Sequence, residues 1–338
     1  MTGRTHLAAS VSLVLALAVW PATLRGQGTA VPQAEVLQHR LQTMAAAFPG
    51  KVGIFVRNVE TGAEVSIHAD EMFPMASTYK VAIMTQVFRE VDAERMSLDE
   101  RVTLTESDRR AGSGLFVFMK PGLAPTIHDL LLLMITVSDN EATDLLLRRV
   151  GAANVTAMLR QLGIRDFRVD RSTEQIIGDW LGAADARFRG ISAAQMLAKE
   201  ELFATLSREQ LDNAARAFAD DPRDHTSPKA MADLLTKIVK SEAASEKSCR
   251  DMLQIMAEQQ LRGRIPRYLE EVTTSTKSGT IGPVTNDVGV INAGKQHIVV
   301  SVYTLKANSG VETELAEEFI GRVARASYDY FQDTASVH

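Results

Sequence analysis

The sequence is poor in the residues that build cross-links and metal sites. One cysteine, Cys249, occurs in 338 residues, so neither an intrachain disulfide nor a cysteine-based metal centre can form. The seven histidines (His6, His39, His68, His128, His225, His297 and His338) are scattered, with no HExxH and no short HxH pair. A zinc enzyme is therefore not expected. Positive charge is not in excess either: 37 Lys+Arg stand against 42 Asp+Glu, a net charge of −5. That removes any electrostatic reason to bind nucleic acid or an anionic membrane. Internal repeats and low-complexity tracts are absent, and beyond the first twenty residues no apolar run is long enough to span a bilayer.

What is present is an ordinary globular balance, 45% hydrophobic and 23% charged. The length exceeds what one compact core usually fills, which predicts an insertion or two subdomains. At the N-terminus, Arg4 precedes a mostly apolar stretch, Leu7 to Trp20, which Pro21 breaks before small and polar residues. This is the order of a secretory signal, here assigned to residues 1–27. The expectation is an exported protein, periplasmic or secreted, with no stable membrane association after cleavage, and a monomer.

Hydrophobic periodicity places helices over Glu35–Phe48, Ser77–Val91, His128–Thr136, Asn140–Val150, Ala153–Leu162, Pro228–Val239 and Glu312–Phe331. Strand-like segments are Lys51–Val59, Ala63–Ile67, Glu271–Thr276, Val288–Asn292 and His297–Leu305, with Glu60-Thr61-Gly62 as a hairpin turn. Strands sit at both ends and helices fill the middle. The expected fold class is α/β: a mixed, mostly antiparallel sheet with flanking helices, built from both termini (31–67 and 257–338), carrying an inserted all-helical domain (68–256).

Three short motifs carry chemistry. In Ser77-Thr78-Tyr79-Lys80, residues three apart on a helix share a face, so a hydroxyl and an amine can meet. A serine needs a base to become a nucleophile, and a lysine serves when burial or neighbouring cations lower its pKa. Free backbone N–H groups at a helix start can stabilise an oxyanion. The second motif, Ser138-Asp139-Asn140, precedes an apolar helix, and the third, Lys277-Ser278-Gly279-Thr280, follows a run of β-formers. Each alone is bland, a cap or a turn. Their order and setting together match the SxxK, SDN and KTG set of serine β-lactamases and penicillin-binding proteins, with Ser278 in place of the threonine and the hydroxyl kept.

On these residues the chain resembles the serine β-lactamase and D,D-peptidase superfamily, and most closely class A. The likeness extends through Phe73-Pro74-Met75-Ala76, Ser113-Gly114, Lys120-Pro121-Gly122, Thr126 to Met134, Asn140 to Gly163 and Thr285-Asn286-Asp287-Val288, roughly from Pro49 to Leu305. The resemblance implies that Ser77 is acylated, that Lys80 relays its proton, and that Ser138 protonates the leaving lactam nitrogen. Asn140 would bind the substrate's side-chain amide and orient Lys80. Lys277 would place positive charge near the substrate carboxylate, which Ser278 and Thr280 would bind, with Gly279 between them. The amides of Ser77 and Thr280 would form the oxyanion hole. No metal and no organic cofactor is implied, and the partner is a small-molecule β-lactam.

The matching deacylation base is Glu174, in a loop that the resemblance ends near Asp224-His225-Thr226-Ser227-Pro228. Three departures stand out: Gly178 replaces a frequent asparagine, Arg171 lies three residues before Glu174, and 49 residues separate Glu174 from Asp224. The extra stretch, roughly 179–220, is expected to form a helical flap that reshapes the substrate pocket, with helix from Ser207 to Ala219. An Arg171–Asp224 ion pair is expected to close the base of this extended omega loop (171–224). Asn286 cannot supply the additional cation that many relatives place behind the lysine of the third motif, which leaves Arg262 or Arg264. Cys249 is read as a buried structural thiol between helical patches. The expected activity is hydrolysis of penicillin- or cephalosporin-type lactams. A D,D-peptidase and a penicillin-binding acyl trap are the alternatives.

Overall fold

The computed structural model describes residues 1–2, 32–191, 195–196 and 203–335. All but the first two residues of the expected signal segment lie outside them. Five strands form the main sheet: β1 (Gly50–Asn58), β2 (Glu64–Ile67), β5 (Thr273–Ile281), β6 (Val284–Ala293) and β7 (Gln296–Lys306). Their order is β2-β1-β7-β6-β5. Every pairing among them is antiparallel, so the sheet expected to be mixed is wholly antiparallel. The reason is local: β5–β6 and β6–β7 are joined by tight turns at Gly282 and Gly294, both at positive φ, and such turns reverse the chain. Strand β1 pairs with β7 from Gly50↔Lys306 to Asn58↔Ile298, which joins the two ends of the chain in one sheet.

One face of this sheet is covered by α1 (Pro32–Ala47) and the terminal helix, α10 (Thr313–Ala335). Leu37, Leu41, Ile54, Val300, Ile320 and Val323 share that core. The opposite face packs on the helical part of the chain, through residues such as Phe55, Val290 and Tyr303. There α2 (Lys80–Asp92) is central, with nine buried residues from Lys80 to Phe88. Around it lie α3 (Ile127–Thr136), α4 (Asn140–Val150), α5 (Ala152–Gln161), α8 (Pro228–Val239) and α9 (Glu246–Ala257).

Capping chemistry sets the boundaries of these helices. Thr126 and Asp129 form a reciprocal capping box at the start of α3. Asp139 accepts from the amide of Ala142 at the start of α4, and Gly151, at φ 77°, ends it. Ser227 caps α8 with Pro228 in its first turn. Cys249 is buried as expected, but it lies within α9 rather than between helices. No helix among the described residues is long and apolar enough to cross a membrane.

The extended loop starts with α6 (Thr173–Ala184) and later forms α7 (Arg208–Asp220). A two-residue ribbon, β3 (Phe73–Pro74) with β4 (His225–Thr226), fastens its end beside the segment leading to Ser77. The expected closure of its base is present. Arg171 Nε donates to Asp224 Oδ2 at 2.6 Å, with the side chains 5% and 4% exposed. The same guanidinium reaches Asp179 at 2.7 Å and Asp221 at 2.9 Å. Asp224 Oδ1 accepts from the amides of Asp170 and Arg171. Arg171→Ala therefore leaves the buried Asp224 without its cation, while Asp179 and Asp221 keep Arg223. Chemical denaturation should show a loss of about 3–5 kcal/mol, the usual cost of breaking a buried pair. A loss within experimental error would show that the loop is held elsewhere.

Candidate active site

The chain enters the site under backbone constraint. Ala76 has φ 46°, in the left-handed region, and opens the four-residue 3-10 turn Ala76–Tyr79 that leads into α2. A non-glycine residue in that region costs free energy, and such positions cluster at functional sites. Ser138, the first residue of the second motif, is also left-handed, at φ 58°. Its conformation is held by the Ser113 hydroxyl, which donates to Ser138 O at 2.7 Å. Asp139 then accepts the amides of Leu115 and Phe116 and caps α4.

Lys80 joins the first two motifs. Its Nζ donates to Ser138 O at 2.8 Å, Ser138 Oγ at 3.1 Å and Asn140 Oδ1 at 2.9 Å. The side chain has no solvent exposure. Burial pushes its pKa down to about 7, against the opposing pull of Asp139 and Asp144. A neutral amine keeps two N–H donors for the Ser138 carbonyl and Asn140 and frees a lone pair for a hydroxyl proton. Asn140 Nδ2 donates to Ala111 O at 2.8 Å, which sets its amide orientation. Gly112, at φ 92°, leaves room for it: a β-carbon there would lie 2.7 Å from Asn140 Nδ2.

Strand β5 brings the third motif. Gly279 pairs with Asn286 of β6, and a β-carbon at Gly279 would sit 2.7 Å from Met75 O and 3.0 Å from Ser77 N. Only glycine lets the strand run this close to the turn that carries Ser77. Asn286 Nδ2 ties the two together, donating to Pro74 O and Met75 O. Lys277 is fully buried and donates to Ser278 O at 2.7 Å. Burial, with help from Lys80 and Arg264, holds its pKa well below the usual lysine range, while Asp287 pulls it upward.

Of the two arginine candidates, Arg264 is at the site and Arg262 is exposed. Arg264 donates to Gly279 O at 3.1 Å, Asn286 O at 2.7 Å and Thr280 Oγ1 at 2.5 Å, and pairs with Glu317. Arg264 thus stands directly behind β5, anchored by Glu317.

Ser77, Ser138, Asn140, Ser278 and Thr280 line one cavity of about 380 Å³. A serine hydroxyl, a buried amine near neutrality, a second hydroxyl on that amine and a cation beyond suit acyl transfer through a covalent ester. Comparison with known proteins agrees. A model of the beta-lactamase enzyme family matches residues 36–331. The chain belongs to that family. A β-lactamase of Streptomyces albus G is 32% identical over 179 residues, which cover 50% of this chain and 57% of that protein. The chain thus aligns with little more than half the length of that relative. Among solved structures, a β-lactamase from Sphaerobacter thermophilus is 27% identical with a TM-score of 0.67, covering 87% of this chain and 95% of that one. An ancestral class A β-lactamase is 28% identical with a TM-score of 0.70, covering 87% and 99%.

Glu174 is placed differently from the other expected residues. Its carboxylate lies 3.3 Å from Arg110 and is about one-third exposed (32%). It lines the cavity on the far side of α6, with Gly178 and Asp179. Its neighbour Thr173 lines the Ser77 cavity instead. Reading the sequence missed the hub that fixes this arrangement. Asp144 accepts from Arg110 Nε at 2.8 Å, from Thr173 N and Oγ1 at 2.7 Å each, and from Glu174 N at 3.2 Å. A signal was available: Asp144 stands four residues after Asn140, on the same face of α4.

Gly279→Ala tests the close approach of β5. Its β-carbon has to push the Ser77 turn outward, and displacement on that scale costs about a hundredfold in rate. Acylation by a fluorescent penicillin should slow accordingly while the far-ultraviolet circular dichroism is retained. Wild-type acylation by the variant would rule out the approach as a catalytic constraint.

Proposed function

We propose that the protein is an exported serine β-lactamase that hydrolyses the lactam amide of penicillin- and cephalosporin-type compounds. The observation that carries this reading is the Lys80 amine held on Ser138 and Asn140 beside the Ser77 turn. Ser77 Oγ attacks the lactam carbonyl as its proton passes to Lys80. The carbon–nitrogen bond then breaks as Ser138 hands its proton to the leaving nitrogen and takes the one held by Lys80, which returns the amine to its neutral form. The amides of Ser77 and Thr280 receive the oxyanion, a role supported by the passage of β5 beside Ser77 N. Asn140 orients the substrate amide, while Ser278, Thr280 and Lys277, with Arg264 behind them, receive its carboxylate. Water activated by Glu174 then cleaves the ester and regenerates Ser77. No cofactor enters the scheme.

The pairing of Glu174 with Arg110, outside the residues that line the Ser77 cavity, favours a second reading. In that reading the protein acylates and stalls, as an acyl trap. Gly178, which has no side chain to hold a water, points the same way. Steady-state measurement with a chromogenic cephalosporin separates the two. Sustained turnover supports hydrolysis, and one equivalent of product followed by arrest supports the trap. Release of D-alanine from a D-alanyl-D-alanine peptide would instead identify a D,D-peptidase.

Within the hydrolytic scheme, Ser77→Ala should abolish the covalent adduct. Glu174→Gln should accumulate the acyl-enzyme, with turnover reduced about a hundredfold or more. Wild-type turnover by Glu174→Gln would remove Glu174 from the mechanism.

The acylation rate should also follow the state of Lys80. Only the neutral amine accepts a proton, so the rate rises as pH passes through about 7 and falls below it. Stopped-flow acylation between pH 5 and 9 measures this. A flat profile would exclude Lys80 as the base.

A further inference from the structure

Helix α6 presents two faces to two cavities. An α-helix turns by about 100° per residue, so Thr173, Ile176, Ile177 and Leu181 share one face. All four line the cavity that holds Ser77. Glu174, Gln175, Gly178, Asp179 and Ala183 share the other face, and they line the neighbouring cavity of about 860 Å³. Trp180 lies at the boundary and reaches both. Adjacent residues of a helix point apart, so Thr173 and Glu174 do not both address Ser77.

The rotation of the helix is fixed at its first turn. Ser172 caps it, in a reciprocal box with Gln175. Asp144 Oδ1 accepts from both the amide and the hydroxyl of Thr173, and Asp144 Oδ2 accepts from the amide of Glu174. The Thr173 hydroxyl also lies 3.3 Å from the carbonyl of Asn140, whose side chain holds Lys80. The Glu174 carboxylate meets Arg110 on the other side. Turning Glu174 toward Ser77 takes a rotation of roughly 100°. That rotation breaks the bonds to Asp144 and carries the buried Ile176 away from the cleft.

We propose that position 173 is where the extended loop addresses the ester formed at Ser77, and that the side chain there sets the lifetime of that ester. The inference rests on the acyl-transfer reading above. It concerns the deacylation step, for which it names position 173 in place of Glu174. An alcohol is not a base near neutral pH, and the Thr173 hydroxyl already gives its proton to Asp144. Threonine therefore leaves the ester longer-lived than a carboxylate at the same position would. With a carboxylate there, the oxygen of a water bonds to the acyl carbon while its proton passes to the carboxylate. The bond from that carbon to Ser77 Oγ then breaks, and the proton returns to Oγ.

The test uses the full-length mature protein, acylated with benzylpenicillin and freed of excess reagent. Loss of the Ser77 adduct is followed by intact mass spectrometry. Thr173→Glu and the near-isosteric Thr173→Gln are each combined with Asp144→Asn. That change keeps an oxygen for the amide of residue 173 and removes the like charge beside the new carboxylate. The adduct should decay at least about tenfold faster with Thr173→Glu than with Thr173→Gln. The Thr173→Glu rate should fall in acid as the carboxylate is protonated, and the Thr173→Gln rate should not follow it. Adding Glu174→Gln should leave the gain in place.

Only molecules already acylated contribute to the decay, so the comparison does not depend on the fraction folded. If the Asp144→Asn background fails to acylate, the Thr173→Glu and Thr173→Gln single variants carry the same comparison. Equal decay in the two variants, or a gain that disappears with Glu174→Gln, would overturn the assignment to position 173. No adduct on the wild type would instead overturn acylation at Ser77 itself.

Discussion

The site depends on a single buried amine. Lys80 lies at the start of α2 with no solvent exposure, and among the described residues its Nζ donates to three oxygens. Its three partners are a carbonyl, a hydroxyl and an amide oxygen, all from the Ser138–Asn140 segment. Burying a full ammonium among such groups is costly, so the amine is held near the point where it gives up its proton. In the proposed scheme that cost is what suits it to act as a base. It also explains why the surrounding backbone is over-determined. The left-handed Ser138, the Ser113 hydroxyl on its carbonyl and the Asp139 cap all keep Lys80's acceptors in place.

A second network, built from arginines and carboxylates, holds the extended loop to this centre. Asp144 on α4 receives the start of α6, and Arg110 spans Asp144 and Glu174. Arg171 gathers Asp179, Asp221 and Asp224 at the loop's base. Buried pairs of this kind contribute little over a well-packed apolar alternative, but losing one partner is expensive. Their effect here is positional. They determine that Thr173 lines the Ser77 cavity and that the apolar side chains of α6 continue its wall, while Glu174 faces the neighbouring space.

Much of the fold was legible because its signals are local. Helices α4 and α8 have the predicted limits, since an N-cap, a helical apolar stripe and a stop or proline are all written in adjacent residues. Strand β5 extends through the third motif to Ile281, beyond the predicted Thr276, because the polar Lys277-Ser278-Gly279-Thr280 is strand only by virtue of pairing with β6. Helix α6 was not foreseen over Thr173–Ala184. Its Ser172–Gln175 capping box was present in the sequence but lay inside a segment read as loop. The Arg171–Asp224 pair was foreseen from the resemblance. Its sharing with Asp179 and Asp221 was not, because it depends on how the loop folds back.

The sequence by itself determined the chemistry: a serine, two lysines, a second serine and an asparagine in motifs whose residue types suit acyl transfer, and a sheet drawn from both ends of the chain. These follow from periodicity, capping and side-chain chemistry, which act over a few neighbouring residues. Only the tertiary structure decided which arginine stands behind β5, which way Glu174 faces, and that the loop lays an apolar wall beside Ser77. Those outcomes turn on contacts between segments tens to hundreds of residues apart, such as Arg264 with Gly279 and Asn286 with Met75. Such contacts are set by packing and register, which no local pattern encodes.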